Sequence, residues 1–237
     1  MEDRPEFLDR VRQHYTQGAQ KIRDTMFADQ SWPHMVKLSD RLEAWLEAQP
    51  PQTILDLACG TGAPTVALAL KGYSVTGLDL TPAMLDIAKK GAAAKGAALT
   101  WICGDMRSID YQEAFDHVML RDVIFGILET KQEDADLIRR IAVATKKGGR
   151  CLFEVYNKQF AMSRGIEGAF FYDANRDAFV PRDGKFDFAE MRLYCLEEWE
   201  QMLGHCGLRI LKLDGWKWKE DPEPPPWRAD IIVAQKC

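Results

Sequence analysis

From Thr53 onward the chain alternates short apolar runs with amphipathic stretches whose apolar positions recur every three or four residues. That pattern predicts buried strands joined by crossover helices. Thr53-Ile54-Leu55-Asp56-Leu57-Ala58 reads as a first strand ending in the loop Cys59-Gly60-Thr61-Gly62. A helix follows through Val66, Ala67, Leu68 and Leu70, with Gly72 as its stop. Tyr73 to Leu78 predicts a second strand that stops at Asp79, and Thr81-Pro82 supplies an N-cap hydroxyl and a first-turn proline for the next helix. Leu99 to Cys103, ending in Gly104-Asp105, and Phe115 to Leu120 predict the third and fourth strands. A helix with Leu137, Ile138 and Ile141 on one face is expected to end at Gly148-Gly149, and Arg150 to Tyr156 to form the fifth strand. Glu197 to Cys206 predicts a helix with Trp199, Leu203 and Cys206 turned inward, and Leu208–Leu213 and Ala229–Val233 two last strands. Crossovers of this length specify an α/β fold with a doubly wound, mostly parallel sheet.

Two segments break the alternation. Residues 1–50 form a helical N-terminal piece in which Phe7, Val11, Tyr15, Ile22 and Met26 fall roughly one turn apart. Residues 158–195 form an insertion rich in aromatics (Phe170, Phe171, Tyr172, Phe179, Phe186, Phe188) and broken by Pro181 and Asp183-Gly184, which predicts short antiparallel strands. Insertions at the carboxyl ends of parallel strands sit over the ligand crevice, so both segments are lid candidates, the first also a simple hydrophobic cover. The expected organisation is a lid over 1–50 and a sheet domain over 51–237 that carries the capping insertion.

Composition narrows the setting. Of 237 residues, 46% are apolar and 28% charged, the balance of an ordinary globular chain. No apolar run approaches the ~18 residues of a membrane span, and MEDRPEFLDR is charged where a signal peptide is apolar. A cytoplasmic protein without a membrane partner is expected, with its six cysteines as free thiols. Their spacing contains no CxxC pair, so no metal site is expected either. The formal charge of −5, from 31 basic and 36 acidic residues, argues against a nucleic-acid partner.

The candidate chemistry lies at the strand ends. A glycine-rich turn between a buried strand and a helix lets backbone approach a ligand and offers the free N–H groups of a helix start. Here the turn lacks the third glycine of a dinucleotide fingerprint, where Thr65 stands, and the Gly-Lys-Ser/Thr of a P-loop. Asp56 precedes it, unfavourable for a pyrophosphate and suited to a ligand bearing an ammonium group. Asp79 can accept both hydroxyls of a ribose, and Asp105 a hydrogen bond from an adenine amine. Three acids at the ends of three adjacent strands describe a ligand with an amine, a ribose and a base, and no phosphate.

Ile54-Leu55-Asp56-Leu57-Ala58-Cys59-Gly60-Thr61-Gly62 resembles the first motif of class I S-adenosylmethionine-dependent methyltransferases. Val75 to Leu85, Gly104-Asp105-Met106 and Phe115-Asp116-His117-Val118 resemble, in order, the motifs that follow it. The resemblance runs from about Thr53 to Val233 and implies a seven-stranded sheet whose last strand is antiparallel. It further implies S-adenosyl-L-methionine as cofactor. Asp56 and Gly60 would lie at its methionine end, Asp79 at the ribose, Leu80 and Met106 on either side of the adenine, and Asp105 at its amine, with Ala58 and Gly62 also binding the cofactor. Met84 is a further cofactor-binding candidate, and helix packing is the lesser reading for Leu80 and Met84. Tyr15, in His14-Tyr15-Thr16-Gln17-Gly18-Ala19, resembles a tyrosine that lies near the methionine part in the small-molecule branch. Tyr194 to Trp199 resembles that branch's entry to the helix before the final hairpin, with Cys195 where a better N-cap is usual.

The implied activity is methyl transfer to nitrogen or oxygen of a small molecule. Arg121, Asp122 and Val123, just past the fourth strand, should face the methyl group. Arg121 could clamp the cofactor carboxylate or an anionic substrate, or form a salt bridge with a neighbouring acid. Glu154 and Tyr156 share a strand face. His34, Arg121 and Tyr156 are the candidates for catalytic roles, although a lone histidine such as His34 is more often structural. His117 is expected in helix packing, His205 at a helix end, and Trp216, Trp218 and Trp227 in hairpin packing or an aromatic wall. Arg121-Asp122-Val123-Ile124 lacks the Asn/Asp-Pro-Pro-aromatic motif of nucleic-acid base methyltransferases. A cofactor-binding subunit that serves a partner, or a methyltransferase for RNA or protein, is the alternative. The chain is expected as a monomer or a homodimer.

Overall fold

Both faces of the central strands are buried, and their side chains divide between two apolar cores. A computed structural model of the chain describes residues 5–22, 27–164, 170–181, 190–216 and 229–237. Strand β1 (Thr53–Leu57) turns Leu55 and Leu57 toward one core and Ile54 toward the other, the period of two that a doubly covered strand requires. Strands β2 (Ser74–Asp79), β3 (Thr100–Cys103), β4 (Phe115–Leu120) and β5 (Thr145–Tyr156) add to it in parallel. Strand β9 (Ala229–Lys236) then inserts antiparallel between β5 and β8 (Leu208–Trp216). The seven strands run in the order β3-β2-β1-β4-β5-β9-β8, as the doubly wound reading expects.

Helices α2 (Trp32–Leu46) and α3 (Ala63–Leu70) cover one face through Leu42, Trp45, Leu46 and Leu68. Helices α5 (Lys131–Ala144) and α7 (Leu196–His205) cover the other through Leu137, Ile138, Ile141, Trp199 and Leu203. Phe125, Phe153 and Trp199 pack there as an aromatic cluster, Phe125 and Phe153 edge-to-face and Trp199 tilted against both, with the Phe125 and Trp199 ring centroids 4.6 Å apart. Between β2 and β3 runs α4 (Pro82–Lys95), with Thr81 at its N-cap position and Pro82 in its first turn; the expected hydroxyl cap does not form, and the Thr81 side chain hydrogen-bonds Asp79 instead.

Several boundaries differ from the expected ones. Helix α5 stops at Ala144, and β5 begins at Thr145, before the Gly148-Gly149 pair, which lies inside the strand at a register shift against β4. A Cβ on Gly149 would stand 2.4 Å from the Asp116 carbonyl oxygen, so that glycine serves close strand approach, while Gly148 takes φ +78° with open space at its Cβ position. The insertion carries the expected hairpin, β6 (Phe170–Asp173) and β7 (Ala178–Pro181), preceded by a short helix α6 (Lys158–Arg164) that the expected element order lacks. Cys195 starts α7 soundly, because the Glu198 carboxylate accepts its backbone N–H at 2.8 Å. Met26, Phe186, Phe188, Trp218 and Trp227 lie outside the described residues.

His117 is buried on β4 with Nε2 3.0 Å from Gln52 Oε1, and burial pushes its pKa down to about 4. All six cysteines are free. Among the described residues no helix is long and apolar enough to cross a membrane.

Candidate functional site

The carboxyl ends of β1, β2 and β3 and the segment after β4 open onto one cleft of about 870 Å³ with its solvent-filled mouth counted. The glycine loop forms one side of it. Ala58 adopts φ +51°, a left-handed conformation unusual for a residue with a side chain, and begins the turn after β1. Gly60 follows at φ +57°, and a Cβ there would meet nothing within 4 Å, so a ligand can approach the backbone. Gly62, at φ +68°, has the opposite constraint: a Cβ would stand 2.4 Å from the Trp101 ring.

Asp79 binds this loop to the start of α4. Its Oδ2 accepts the Gly60 N–H and its Oδ1 the Thr81 N–H, each at 2.8 Å. Burial raises its pKa, while those N–H groups pull it down. The carboxylate lines the cleft, and the Thr81 side chain hydrogen-bonds it as well.

Helix α1 (Pro5–Ile22) forms the cover. Phe7, Val11 and Tyr15, spaced four apart and therefore on one helix face, line the cleft. Phe7 and Val11 pack with Leu80, and Tyr15 with Ala19, Met84 and Ile87. Leu80 and Met84 thus line the cleft and also pack against the cover. The Tyr15 hydroxyl is pushed up to about 12 by burial, then by Asp79, Asp122 and Tyr156.

At the β3 end, Asp105, Met106 and Arg107 line the cleft. Asp105 is not an open carboxylate: Arg107 donates to both its oxygens, and reaches Glu133 Oε1 at 3.0 Å with its remaining nitrogen. Arg107 was missed in the sequence because its partner in α5 is 26 residues away.

At the β4 end a buried charge cluster forms. Arg121 donates through Nη2 to Asp122 Oδ1 at 3.2 Å and to Glu154 Oε2 at 3.4 Å, and Glu154 Oε2 also accepts the Asp122 N–H at 3.2 Å. Arg121 and Glu154 are 7% and 5% exposed. The salt-bridge reading of Arg121 therefore describes its contacts, and its Nε has no partner among the described residues. Asp122 and Val123 both take positive φ, +56° and +51°, and Asp122 lines the cleft.

Asp56 is 2% exposed and is not among the lining residues; it accepts from Thr65 Oγ1 at 2.5 Å. Burial drives its pKa up to about 6 against the pull of Arg121 and Thr65. Burial likewise raises Glu154, and lifts Tyr156 to about 12.

His34 stands exposed in the first turn of α2 and does not line the cleft. The far wall, Ile124, Ile127 and Leu128, was also missed. It is clasped by buried Arg192, which donates its N–H to the Gly126 carbonyl at 2.8 Å, its Nη2 to the Leu128 carbonyl and its Nε to Asp134 at 3.0 Å. Tyr194 adds a hydrogen bond to the same Asp134 oxygen at 2.7 Å. Ile127 and partly buried Ile124 also pack with Phe170 and Phe179 of the hairpin, so the capping insertion borders this end of the site.

Comparison with known proteins places these features in context. The sequence profile of a methyltransferase domain matches residues 54–149. YqeM of Bacillus subtilis, named as a methyltransferase, is 30% identical over 199 residues, spanning 72% of this chain and 80% of its own. A ubiquinone biosynthesis O-methyltransferase of Coxiella burnetii is 30% identical over 165 residues, 68% of this chain and 65% of that one. Among solved structures, magnesium protoporphyrin IX methyltransferase from Synechocystis with bound S-adenosylmethionine superposes with a TM-score of 0.68 at 17% identity, covering 100% of both chains.

Proposed function

Because the chain belongs to the class I S-adenosylmethionine-dependent methyltransferases, we propose that it methylates a nitrogen or oxygen of a small molecule within the cleft beneath α1. The observation that carries this reading is the cleft itself: Asp79 at its edge, open backbone approach at Gly60 and, among the described residues, no uncompensated lining cation for a phosphate. Arg107, the cation that lines it, is already shared between Asp105 and Glu133.

S-adenosylmethionine supplies a methyl group already activated on a sulfonium. The protein's work is then mainly alignment, which can contribute ~7–11 kcal/mol of the barrier. We assign Asp79 to the ribose hydroxyls, Asp105 to the adenine amine, and Leu80 and Met106 to the faces of the base. Asp56 answers the ammonium end by charge from behind the loop, and Ala58, Gly60 and Gly62 shape the backbone path. Tyr15 and Tyr156 keep their protons at neutral pH, so their part is hydrogen-bond donation and not proton removal. Asp122 is the acid at the end of β4 that lines the cleft, and we assign it the acceptor. Arg121 holds Asp122 and Glu154 in place. His34 receives no role.

A small acceptor is supported by the enclosure, with α1 and the hairpin-backed wall bounding the cleft. The names of two similar proteins, a ubiquinone biosynthesis O-methyltransferase and a magnesium protoporphyrin IX methyltransferase, support a small acceptor. Methyl-labelled cofactor offered with a panel of amines, phenols and carboxylic acids tests the proposal. Label should pass to at least one panel member with this chain alone. Cofactor binding with turnover only after a second polypeptide is added would instead establish the subunit reading.

A pH dependence follows from Asp56. Its folded pKa is raised to about 6, so below that value the carboxyl is neutral and must release a proton to meet a bound ammonium group. Affinity for S-adenosylhomocysteine should therefore fall by up to about tenfold per pH unit below 6, with proton release in calorimetry. Asp56→Asn should flatten that slope; a slope of the same size in the variant would remove Asp56 from the assignment.

A further inference from the structure

Asp105 is held by three donors from one residue. It precedes the short turn Met106–Ser108, and its Oδ1 accepts the Arg107 backbone N–H at 2.9 Å. Its Oδ2 accepts Arg107 Nε at 2.9 Å and Nη2 at 2.8 Å. A carboxylate offers about four lone-pair positions, two on each oxygen. The guanidinium fork fills both on Oδ2 and the backbone fills one on Oδ1, which leaves one open acceptor position, on Oδ1. Both residues line the cleft.

The fork is itself anchored. Arg107 Nη1 donates to Glu133 Oε1 at 3.0 Å, while Glu133 Oε2 accepts the Thr130 N–H at 2.9 Å in the capping box of α5. A chain of charge-assisted hydrogen bonds thus runs from the first turn of α5 to the carboxylate at the end of β3. Rotation of the Asp105 carboxylate would break the bonds to the fork, so its open position is fixed in direction as well as in number.

We propose that Arg107 is the positioning residue that makes the cleft selective for a 6-aminopurine. With Arg107 in place, Asp105 presents one acceptor position, which an exocyclic amine satisfies and a 6-oxo group opposes. Lysine would keep the charge and lose the planar fork, so it cannot fill both positions on Oδ2. Asp105 could then turn, and the preference would relax. This inference rests on the assignment of Asp105 to the base.

The experiment is calorimetric titration with S-adenosylhomocysteine and with its 6-oxo counterpart, S-inosylhomocysteine. The parent protein should prefer the amino ligand by about tenfold or more, the scale of one hydrogen bond to a charged group. In Arg107→Lys, and in Arg107→Gln as a second variant, the amino ligand should weaken several-fold while the oxo ligand changes little, so the ratio shrinks. Equal loss for both ligands, or an unchanged ratio, overturns the proposal and leaves Arg107 a structural tie. Asp105→Ala separates the two levels. If it collapses the ratio and the Arg107 variants do not, only the inference fails; if it leaves the parent ratio intact, the assignment of Asp105 to the base fails with it.

Discussion

Asp79→Ala is expected to weaken S-adenosylhomocysteine binding by about 3 kcal/mol, roughly a hundredfold. Two losses combine. The ribose loses a charged acceptor, and the N–H groups of Gly60 and Thr81 lose the oxygens that now hold them at 2.8 Å. The glycine loop and the start of α4 are then no longer tied to one group, so the ligand must order them on binding. Asp79→Asn should do little better, because its amide nitrogen would face one of those N–H groups in place of an acceptor. Removing a buried carboxylate also relieves a desolvation cost, so the melting temperature should change less than the affinity. Calorimetry well below the melting transition checks this. An affinity within threefold of the parent (about 0.7 kcal/mol) would remove Asp79 from the ribose.

Arg121→Met should destabilise the fold by about 3–5 kcal/mol at pH 8, the cost typical of leaving a buried ion pair without one partner. Arg121 stands among Glu154, Asp122 and Asp56, and only Asp122 of these reaches solvent substantially. Without the guanidinium, Glu154 and Asp56 rise further above their ordinary carboxylate range. A group whose folded pKa is raised contributes stability at low pH and loses it as pH climbs through the folded value. The deficit should therefore be larger at pH 8 than at pH 5, where both acids can hold protons. Arg121→Met with Glu154→Gln should recover part of it. Urea unfolding at the two pH values reads the effect; a deficit independent of pH, with no recovery in the double variant, would mean that Arg121 stabilises through packing of its stem alone.

The parts of this protein legible in its sequence are those set by local chemistry. Apolar runs such as Thr53–Leu57 and Phe115–Leu120 are strands because both faces are covered, and no tertiary partner is needed to see it. Thr81-Pro82 marks the start of α4 by its own stereochemistry. The Gly148-Gly149 pair misleads because glycine serves helix ends and close strand approach alike, and only the register against β4 decides between them. Helix α6 escapes notice because seven residues carry little periodicity.

The site divides along the same line. Asp79 and the Gly60 loop are readable because they lie at the ends of adjacent strands. Arg107–Glu133 and Arg192–Asp134 are not, since each joins residues far apart in the chain that only the folded sheet brings within 3.0 Å. His34 illustrates the converse: a plausible residue type, in a plausible segment, that folding leaves on the outside of α2.

The most direct measurement is a crystal structure with S-adenosylhomocysteine bound. Both ribose hydroxyls are expected within about 3 Å of the Asp79 carboxylate, the adenine between Leu80 and Met106 with its amine on Asp105, and the sulfur facing Asp122 beneath Tyr15. A ligand bound outside this cleft, or one whose ribose lies away from Asp79, would contradict it.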